Sequence, residues 1–256
     1  MNSIRTKRTA KRFLHTVLSL LYPPRCPVCD GILPFRKEKC CSRCYAKLPW
    51  VNGPVCFKCG KMIERQEQEY CSDCKRQNRY FDGGAAAFVY TGEMRRCVYR
   101  MKFGNRRDYI DFYAEAMVTA CEKKLRLWRP ERIVPVPMHP SKKRKRGFNQ
   151  SELLAEEISR LTGIPVERKM LRCVKKTSDQ KKLGRKERMN NLKGAFEIRS
   201  YPEHLSRILV VDDVYTTGST MDEVSRILKQ AGAGHIFFIV LCTGKGKKTV
   251  CTAENV

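Results

Sequence analysis

The run Ile208-Leu-Val-Val-Asp212-Asp213-Val214-Tyr215-Thr216-Thr217-Gly218-Ser219-Thr220 leaves this chain few ways to fold. Ile208 to Val211 are β-branched or leucine, too few for a helix and suited to a central parallel strand covered on both faces. Beyond them Thr220 and Glu223 have capping-box spacing, while Val224, Ile227 and Leu228 recur at helical intervals, so a helix opens within Thr216 to Thr220. Strand, turn and helix start aim several backbone N–H groups and the positive end of a helix dipole at one small volume. A phosphate monoester suits that volume. Gly218 lets the backbone approach closely, Thr216, Thr217, Ser219 and Thr220 offer hydroxyls, and no side chain of the turn carries a repelling charge. Asp212 and Asp213 come one step earlier, where carboxylates accept hydrogen bonds from sugar hydroxyls or organise Mg²⁺ around substrate phosphates. The plainer alternative is a strand, a polar loop and a helix with no ligand.

From Phe81 onward apolar strands alternate with helical patterns. The pattern predicts a strand at Ala85 to Tyr90, helices near 93–103 and 107–125, and a strand at Arg132 to Val136. A loop at Pro137 to Gly147 follows, then a helix near 151–161, a basic segment from Lys175 to Lys193, the run above, and a last strand at Ile236 to Leu241. This order predicts an α/β domain with a parallel sheet and helices on both faces. In such sheets ligands collect beyond the carboxyl ends of the strands, where Pro137 to Gly147 and Asp212 to Thr220 both emerge. The basic residues Lys142 to Arg146 are then placed for a second anionic group, against the alternative of a solvated charge run.

Fourteen cysteines need an explanation, and eight of them fall into four Cys-x-x-Cys pairs. Cys26, Cys29, Cys41 and Cys44 recur thirty positions later as Cys56, Cys59, Cys71 and Cys74, an internal duplication read from spacing. Each copy offers two knuckles and four thiolates, the set that tetrahedral Zn²⁺ takes, and leaves no coordination position for water or substrate. The metal is therefore expected to be structural, with one or two zinc ions bound. Cys40 lies off register, either as a substitute for Cys41 or as a free thiol. Cys97, Cys121, Cys173, Cys242 and Cys251 read as core or incidental thiols, which suits a reducing cytosol. The expected organisation is a basic amphipathic helix in 1–24, a small zinc-ribbon domain holding both four-cysteine sets in 25–80, the α/β domain in 81–248 and a tail in 249–256.

Lys and Arg number 52 against 26 Asp and Glu, a formal net charge of +26 in 256 residues. That excess implies anionic partners, single-stranded or duplex nucleic acid first among them, with a merely solvated basic surface as the alternative. Residues 10–21 pack Phe13, Leu14, Val17, Leu18 and Leu21 on one face of a helix. The stretch lacks a signal-peptide cleavage site and falls short of the roughly twenty residues that span a bilayer, so it excludes a secretory or spanning segment and leaves peripheral membrane contact as the minor reading.

The apolar strand, paired acids and Thr-Thr-Gly-Ser-Thr turn resemble the phosphoribosyl pyrophosphate (PRPP) signature of type I phosphoribosyltransferases. Five further segments extend the likeness over nearly the whole chain. They are Tyr22-Pro-Pro-Arg-Cys26-Pro-Val-Cys29, Val134-Pro-Val-Pro137, Arg146-Gly-Phe-Asn-Gln-Ser-Glu152, Lys175 to Gln180, and Arg188-Met-Asn-Asn-Leu-Lys-Gly-Ala-Phe196. Their order resembles that of the ComF family, also called GntX-like, which joins an N-terminal zinc ribbon to such a domain and is associated with DNA uptake in natural competence. The resemblance implies a cytoplasmic protein that binds PRPP with Mg²⁺, linked to DNA and to the DNA-uptake machinery. It assigns Asp212 and Asp213 to ribose and Thr216, Thr217, Gly218, Ser219 and Thr220 to the 5-phosphate, with Val214 and Tyr215 between them also in the PRPP-binding stretch. Arg144 and Arg146 are the candidates for pyrophosphate, and Lys176 in the family's active-site loop is a further catalytic candidate. No residue set identifies an acceptor. The rival reading is a non-catalytic PRPP sensor or nucleic-acid-binding protein that uses the basic surface and the ribbons.

Overall fold

The computed structural model of the chain describes residues 23–34, 38–65, 67–175, 192–201 and 205–244. The amphipathic helix expected at 10–21, Lys176 and the expected tail lie outside the described residues. The chain divides into two compact units, Met1–Leu48 and Pro49–Val256. The second four-cysteine copy thus shares a unit with the sheet, and the change of composition near residue 80 falls inside continuous packing.

The thirty-residue duplication is one of backbone hydrogen bonds as well as of cysteines. Cys26 N–H donates to Gly31 O as Cys56 N–H does to Lys61 O, both at 2.8 Å, and Cys44 and Cys74 N–H return to Cys41 and Cys71 O at 3.0 Å. Each copy ends in a one-turn helix, α1 (Ser42–Ala46) and α2 (Ser72–Arg76). Asp30 and Gly60 hold the same left-handed position, at φ 65° and 71°. In the second copy the position needs glycine, because a Cβ at Gly60 would lie 2.5 Å from Gly84 O and 2.9 Å from the Ala85 Cα. This knuckle is pressed directly against the first strand of the sheet.

That sheet is parallel throughout, in the order β1 (Gly83–Val89), β6 (His235–Thr243), β5 (Arg207–Tyr215), β2 (Arg132–Pro135). Two short strands, β3 (Leu171–Cys173) and β4 (Phe196–Ile198), pair antiparallel beside it. The helices are α3 (Gly92–Phe103), α4 (Ile110–Trp128), α5 (Pro140–Arg146), α6 (Gln150–Thr162) and α7 (Ser219–Gln230). Helix α4 packs on β1 and β6, α6 packs on β2 and β5, and these two helices pack on each other; α7 packs on β4 and β6.

Strand periodicity divides the apolar residues between two faces. Val134, Ile208, Val210, Ile236, Phe238 and Val240 join one cluster with Val224 and Leu228 of α7 and with Cys56, Cys59, Ile63 and Cys71 of the second ribbon. The alternate residues Ile133, Leu209, Val211, Ile239 and Leu241 are fully buried on the other face. Unbroken apolar strands are therefore what this sheet requires, because neither face meets solvent.

Two local expectations change. The segment expected as a loop contains α5, since Pro140 fits the first turn, His139 Nδ1 accepts the Ser141 N–H at 3.2 Å, and Gly147 closes the helix at φ 85°. The Thr220–Glu223 capping box does not form. Gly218, at φ 87°, is the N-cap of α7 with no side-chain cap, and Glu223 instead pairs with Arg226 at 2.8 Å and accepts the Gly194 N–H at 2.9 Å. No helix among the described residues is long and apolar enough to cross a membrane.

The close approach at Gly60 is testable. Gly60→Ala is expected to lower stability by about 3 kcal/mol, through left-handed backbone strain and the forced separation of ribbon and strand. Chemical denaturation with zinc present would measure it, and a loss under about 1 kcal/mol would contradict the contact.

Candidate functional site

The acids lie near the carboxyl end of β5, which runs on to Tyr215 before the chain turns into α7. Asp212 and Asp213 are 9% and 5% exposed, so two carboxylates sit side by side with almost no water. Their neighbours compensate them. Asp212 Oδ1 accepts the Ser151 hydroxyl at 2.8 Å and the Asp213 N–H at 2.8 Å. Asp213 Oδ2 pairs with the Lys102 ammonium and accepts the Gln150 amide at 3.4 Å. Burial, and then the Asp213 charge, push the Asp212 carboxyl up to about 7, against the pull of Lys102 and Ser151.

Gln150 and Ser151 are positioned by their own motif. Asn149 caps α6 by accepting the Ser151 N–H at 3.1 Å, and its amide donates to Val136 O at 3.0 Å, which pins the helix start to the end of β2. Helix α6 therefore begins beside the acids, with the positive end of its dipole toward them. Arg146 Nη1 donates to Gln150 Oε1 at 2.5 Å, and its guanidinium lies 4.9 Å from the Phe103 ring centroid.

These groups enclose a cavity of about 590 Å³ bordered by Asp212, Asp213, Val214, Thr216 and Thr220, with Arg95, Lys102, Lys142 and Arg146 around it. Four cations against two acids leave the lining net positive, which suits an anionic ligand. Of the basic-loop candidates, Lys142 and Arg146 line this cavity, whereas Arg144 lines a neighbouring one of about 530 Å³ with Lys143, Arg168 and Arg172. Tyr215 faces away from the cavity. It is 2% exposed and stacks on Phe238 at 4.9 Å, beneath the turn. Thr217 Oγ1 and Ser219 Oγ are 2.9 Å apart, closing the turn above it. Lys102, Gln150 and Ser151 do not stand out in the sequence as site residues, and Lys102 carries no signal there beyond membership of a basic stretch.

The turn is braced from the ribbon side. Arg79, in the segment leaving the second ribbon, has a side chain only 2% exposed that pairs with Asp222 of α7 and donates to Thr217 O at 3.2 Å. Lys61 pairs with Asp73 at 2.9 Å and places its ammonium 5.3 Å from the Tyr215 ring centroid. Gly218 meets both supports, since a Cβ there would lie 2.6 Å from Tyr215 Oη and 3.1 Å from Arg79 Nη1.

Zinc fits both cysteine sets. The sulfurs of Cys26, Cys29, Cys41 and Cys44 lie within 4.8 Å of one another, as do those of Cys56, Cys59, Cys71 and Cys74. Zn–S bonds of about 2.3 Å give a tetrahedron with edges of about 3.8 Å. Cys29–Cys41 at 3.9 Å and Cys59–Cys71 at 3.6 Å match that edge. Cys40 Sγ lies 3.7 Å from Cys26 Sγ, beside the first cluster.

An acid pair and hydroxyl turn at the edge of a parallel sheet, preceded in the chain by two four-cysteine knuckle pairs, define a phosphoribosyltransferase-type domain with a double zinc ribbon. Residues 17–75 match the double zinc ribbon domain and residues 150–252 the phosphoribosyl transferase domain. The chain is 32% identical over 219 residues to Competence protein F of Haemophilus influenzae, covering 83% of this chain and 93% of that one. It is 27% identical to Competence protein ComFC of Bacillus subtilis, over 76% of this chain and 80% of that one. It is 26% identical to DNA utilization protein YhgH of Escherichia coli K12, over 87% and 98%. The chain belongs to the ComF family.

Two outcomes follow from this geometry. An ordinary Asp titrates near 3.9, so between about pH 4 and 7 the folded protein holds a proton on Asp212 that the unfolded chain has lost, and this contribution to stability falls as pH rises through that window. The stability difference between wild type and Asp212→Asn is therefore expected to shift toward the variant from about pH 4 to 7 in thermal melts; a difference independent of pH would contradict the buried proton. Arg79→Ala is expected to cost about 3 kcal/mol by leaving Asp222 unpaired, with Arg79→Lys restoring only part because the bond to Thr217 O is lost. Urea denaturation measures both, and a cost below about 1 kcal/mol for the alanine variant would contradict the brace.

Proposed function

We propose that this protein binds PRPP with Mg²⁺ and transfers its 5-phosphoribosyl group to a nitrogen acceptor, in the cytoplasm and in the service of DNA handling. The observation that carries the reading is the convergence of Asp212, Asp213, Thr216 and Thr220 with Lys102, Lys142 and Arg146 on one cavity. In this reading the 5-phosphate occupies the start of α7, where Thr216 and Thr220 supply hydroxyls and the backbone N–H groups point outward. Asp213, and Asp212 once it ionises above about pH 7, accept the ribose hydroxyls and hold negative charge near the cation that develops on the ribose. Lys102 exchanges its present pairing with Asp213 for contact with the diphosphate, which Lys142 and Arg146 also face. Asp212 and Asp213 would hold Mg²⁺ together with the substrate phosphates, and the ion would supply positive charge to the leaving pyrophosphate. The chain's contribution is position and electrostatics, with no covalent intermediate.

The link to DNA draws on the names of Competence protein F and DNA utilization protein YhgH, and on the net charge of +26. A second reading follows from that charge: the basic faces hold single-stranded or duplex DNA while the sugar-phosphate site acts as a sensor. The two differ in salt dependence. DNA affinity should fall steeply with salt, with a shallower slope once Lys142 to Arg146 are neutralised, whereas pyrophosphate release needs no DNA.

Thermal melting tests the sugar-phosphate site. PRPP with Mg²⁺ at about one hundred times its Kd should add about 2.7 kcal/mol, a rise of roughly 5–10 °C. The Asp212→Asn/Asp213→Asn variant should lose that rise. An equal rise in wild type and variant would overturn the ribose contacts.

A further inference from the structure

We propose that Cys40 is an oxidation site that governs the first four-cysteine set: a peroxide joins Cys40 to Cys26 as a disulfide, and the zinc ion held by Cys26, Cys29, Cys41 and Cys44 leaves. The inference is independent of the sugar-phosphate reading and rests on a difference between the two copies of the duplication. Cys40 Sγ lies 3.7 Å from Cys26 Sγ and 3.6 Å from the Cys41 carbonyl oxygen, so the first copy gathers five thiols where a tetrahedral ion takes four. Thirty positions on, the residue in place of Cys40 is Tyr70, whose ring packs edge-on against Phe57 at 6.4 Å. The second copy therefore has no sulfur at the matching position.

Exposure separates the copies in the same direction. Cys29 is exposed and Cys40, Cys41 and Cys44 are half-buried, whereas Cys56, Cys59 and Cys71 are buried and only Cys74 of the second set is half-buried. A small oxidant thus reaches the first set more readily. Cys26 is fully buried, so of the close pair Cys40 is the one that solvent reaches. Cys40 lies in a bend before α1 rather than in a helix or strand, which lets its sulfur close the roughly 1.7 Å between the present separation and an S–S bond of about 2.05 Å.

Hydrogen peroxide is the co-reactant, and the chemistry balances with it alone. It oxidises the Cys40 thiol to a sulfenic acid with loss of one water. Cys26, a thiolate as a metal ligand must be, attacks the Cys40 sulfur. The S–S bond forms as the S–O bond breaks, and the departing hydroxide takes a solvent proton to become a second water. Two electrons pass from the sulfurs to the O–O bond. Three thiolates are left for an ion that takes four, and the first set loses its hold on zinc.

The test exposes the full-length zinc-loaded protein to graded hydrogen peroxide, reads released zinc with a chromogenic chelator and maps cysteines by alkylation and peptide mass spectrometry. Wild type should release one of its two zinc ions and form a Cys26–Cys40 cross-link. Cys29, Cys41 and Cys44 should become open to alkylation while Cys56, Cys59, Cys71 and Cys74 stay protected, and a thiol reductant with added zinc should reverse the change. Cys40→Ser and Cys40→Ala should each keep both ions untreated and release the first about tenfold more slowly or less. The inference is overturned by either variant being isolated with one ion fewer, which would make Cys40 a ligand, or by release equally fast in wild type and both variants. A wild type that binds no zinc at the first set or keeps both ions under peroxide, a cross-link lacking Cys26 or Cys40, or earlier loss from the second set would overturn it as well.

Discussion

The turn at Gly218 depends on the second four-cysteine module packed beneath it. The second set of sulfurs belongs to the same apolar cluster as β5 and α7, so the metal cluster and the sheet share one core. The module brings few apolar residues to that core beyond its cysteines and Ile63, so zinc binding by the thiolates would supply much of its folding energy. Once ordered, it presents Gly60 to β1, Lys61 to the Tyr215 ring, and the chain leaving it presents Arg79 to Asp222 and Thr217. Lys61 and Arg79 reach the floor and flank of the turn, whereas the Gly60 contact seats the module on β1. The two copies differ accordingly in burial: Cys56, Cys59 and Cys71 are buried, whereas in the first set only Cys26 is.

A second constraint is electrostatic. Adjacent buried carboxylates repel, and an isolated pair would be costly. The structure resolves this by different means at each acid: a hydroxyl and a backbone N–H at Asp212, whose carboxyl burial pushes up to about 7, and an ammonium and an amide at Asp213. A hydroxyl, an ammonium and an amide are partners of a kind that ligand hydroxyls or a cation can replace. An acid pair held in this way is fixed in place yet open to new partners, which is the condition for electrostatic preorganisation.

Much of this is legible in the sequence, for reasons that can be traced to particular residues. Ile208 to Val211 admit little other than a central strand, and cysteine spacing is a local signal that survives folding unchanged. The motif Arg146 to Ser151 stands out, but its work does not. Ser151 and Gln150 reach acids 61 and 63 positions away, a pairing that only the β2–α6 and β5 edges bring about. Lys102 is hidden among the arginines of its helix, and Arg79 lies at the last positions of the expected ribbon domain, outside every motif. The Thr220–Glu223 spacing misleads because Gly218 in the left-handed region begins α7 early and leaves Thr220 inside the first turn. Tyr215 groups by sequence with the turn that follows it, although strand alternation turns its ring into the core.

The most direct test is a crystal structure of the zinc-loaded protein grown with PRPP and magnesium. The account predicts ribose hydroxyls on Asp212 and Asp213, the 5-phosphate at the N–H groups opening α7, and diphosphate toward Lys102, Lys142 and Arg146. A ligand bound away from β5, or an acid pair still engaged only by Lys102, Gln150 and Ser151 at saturating PRPP, would contradict it.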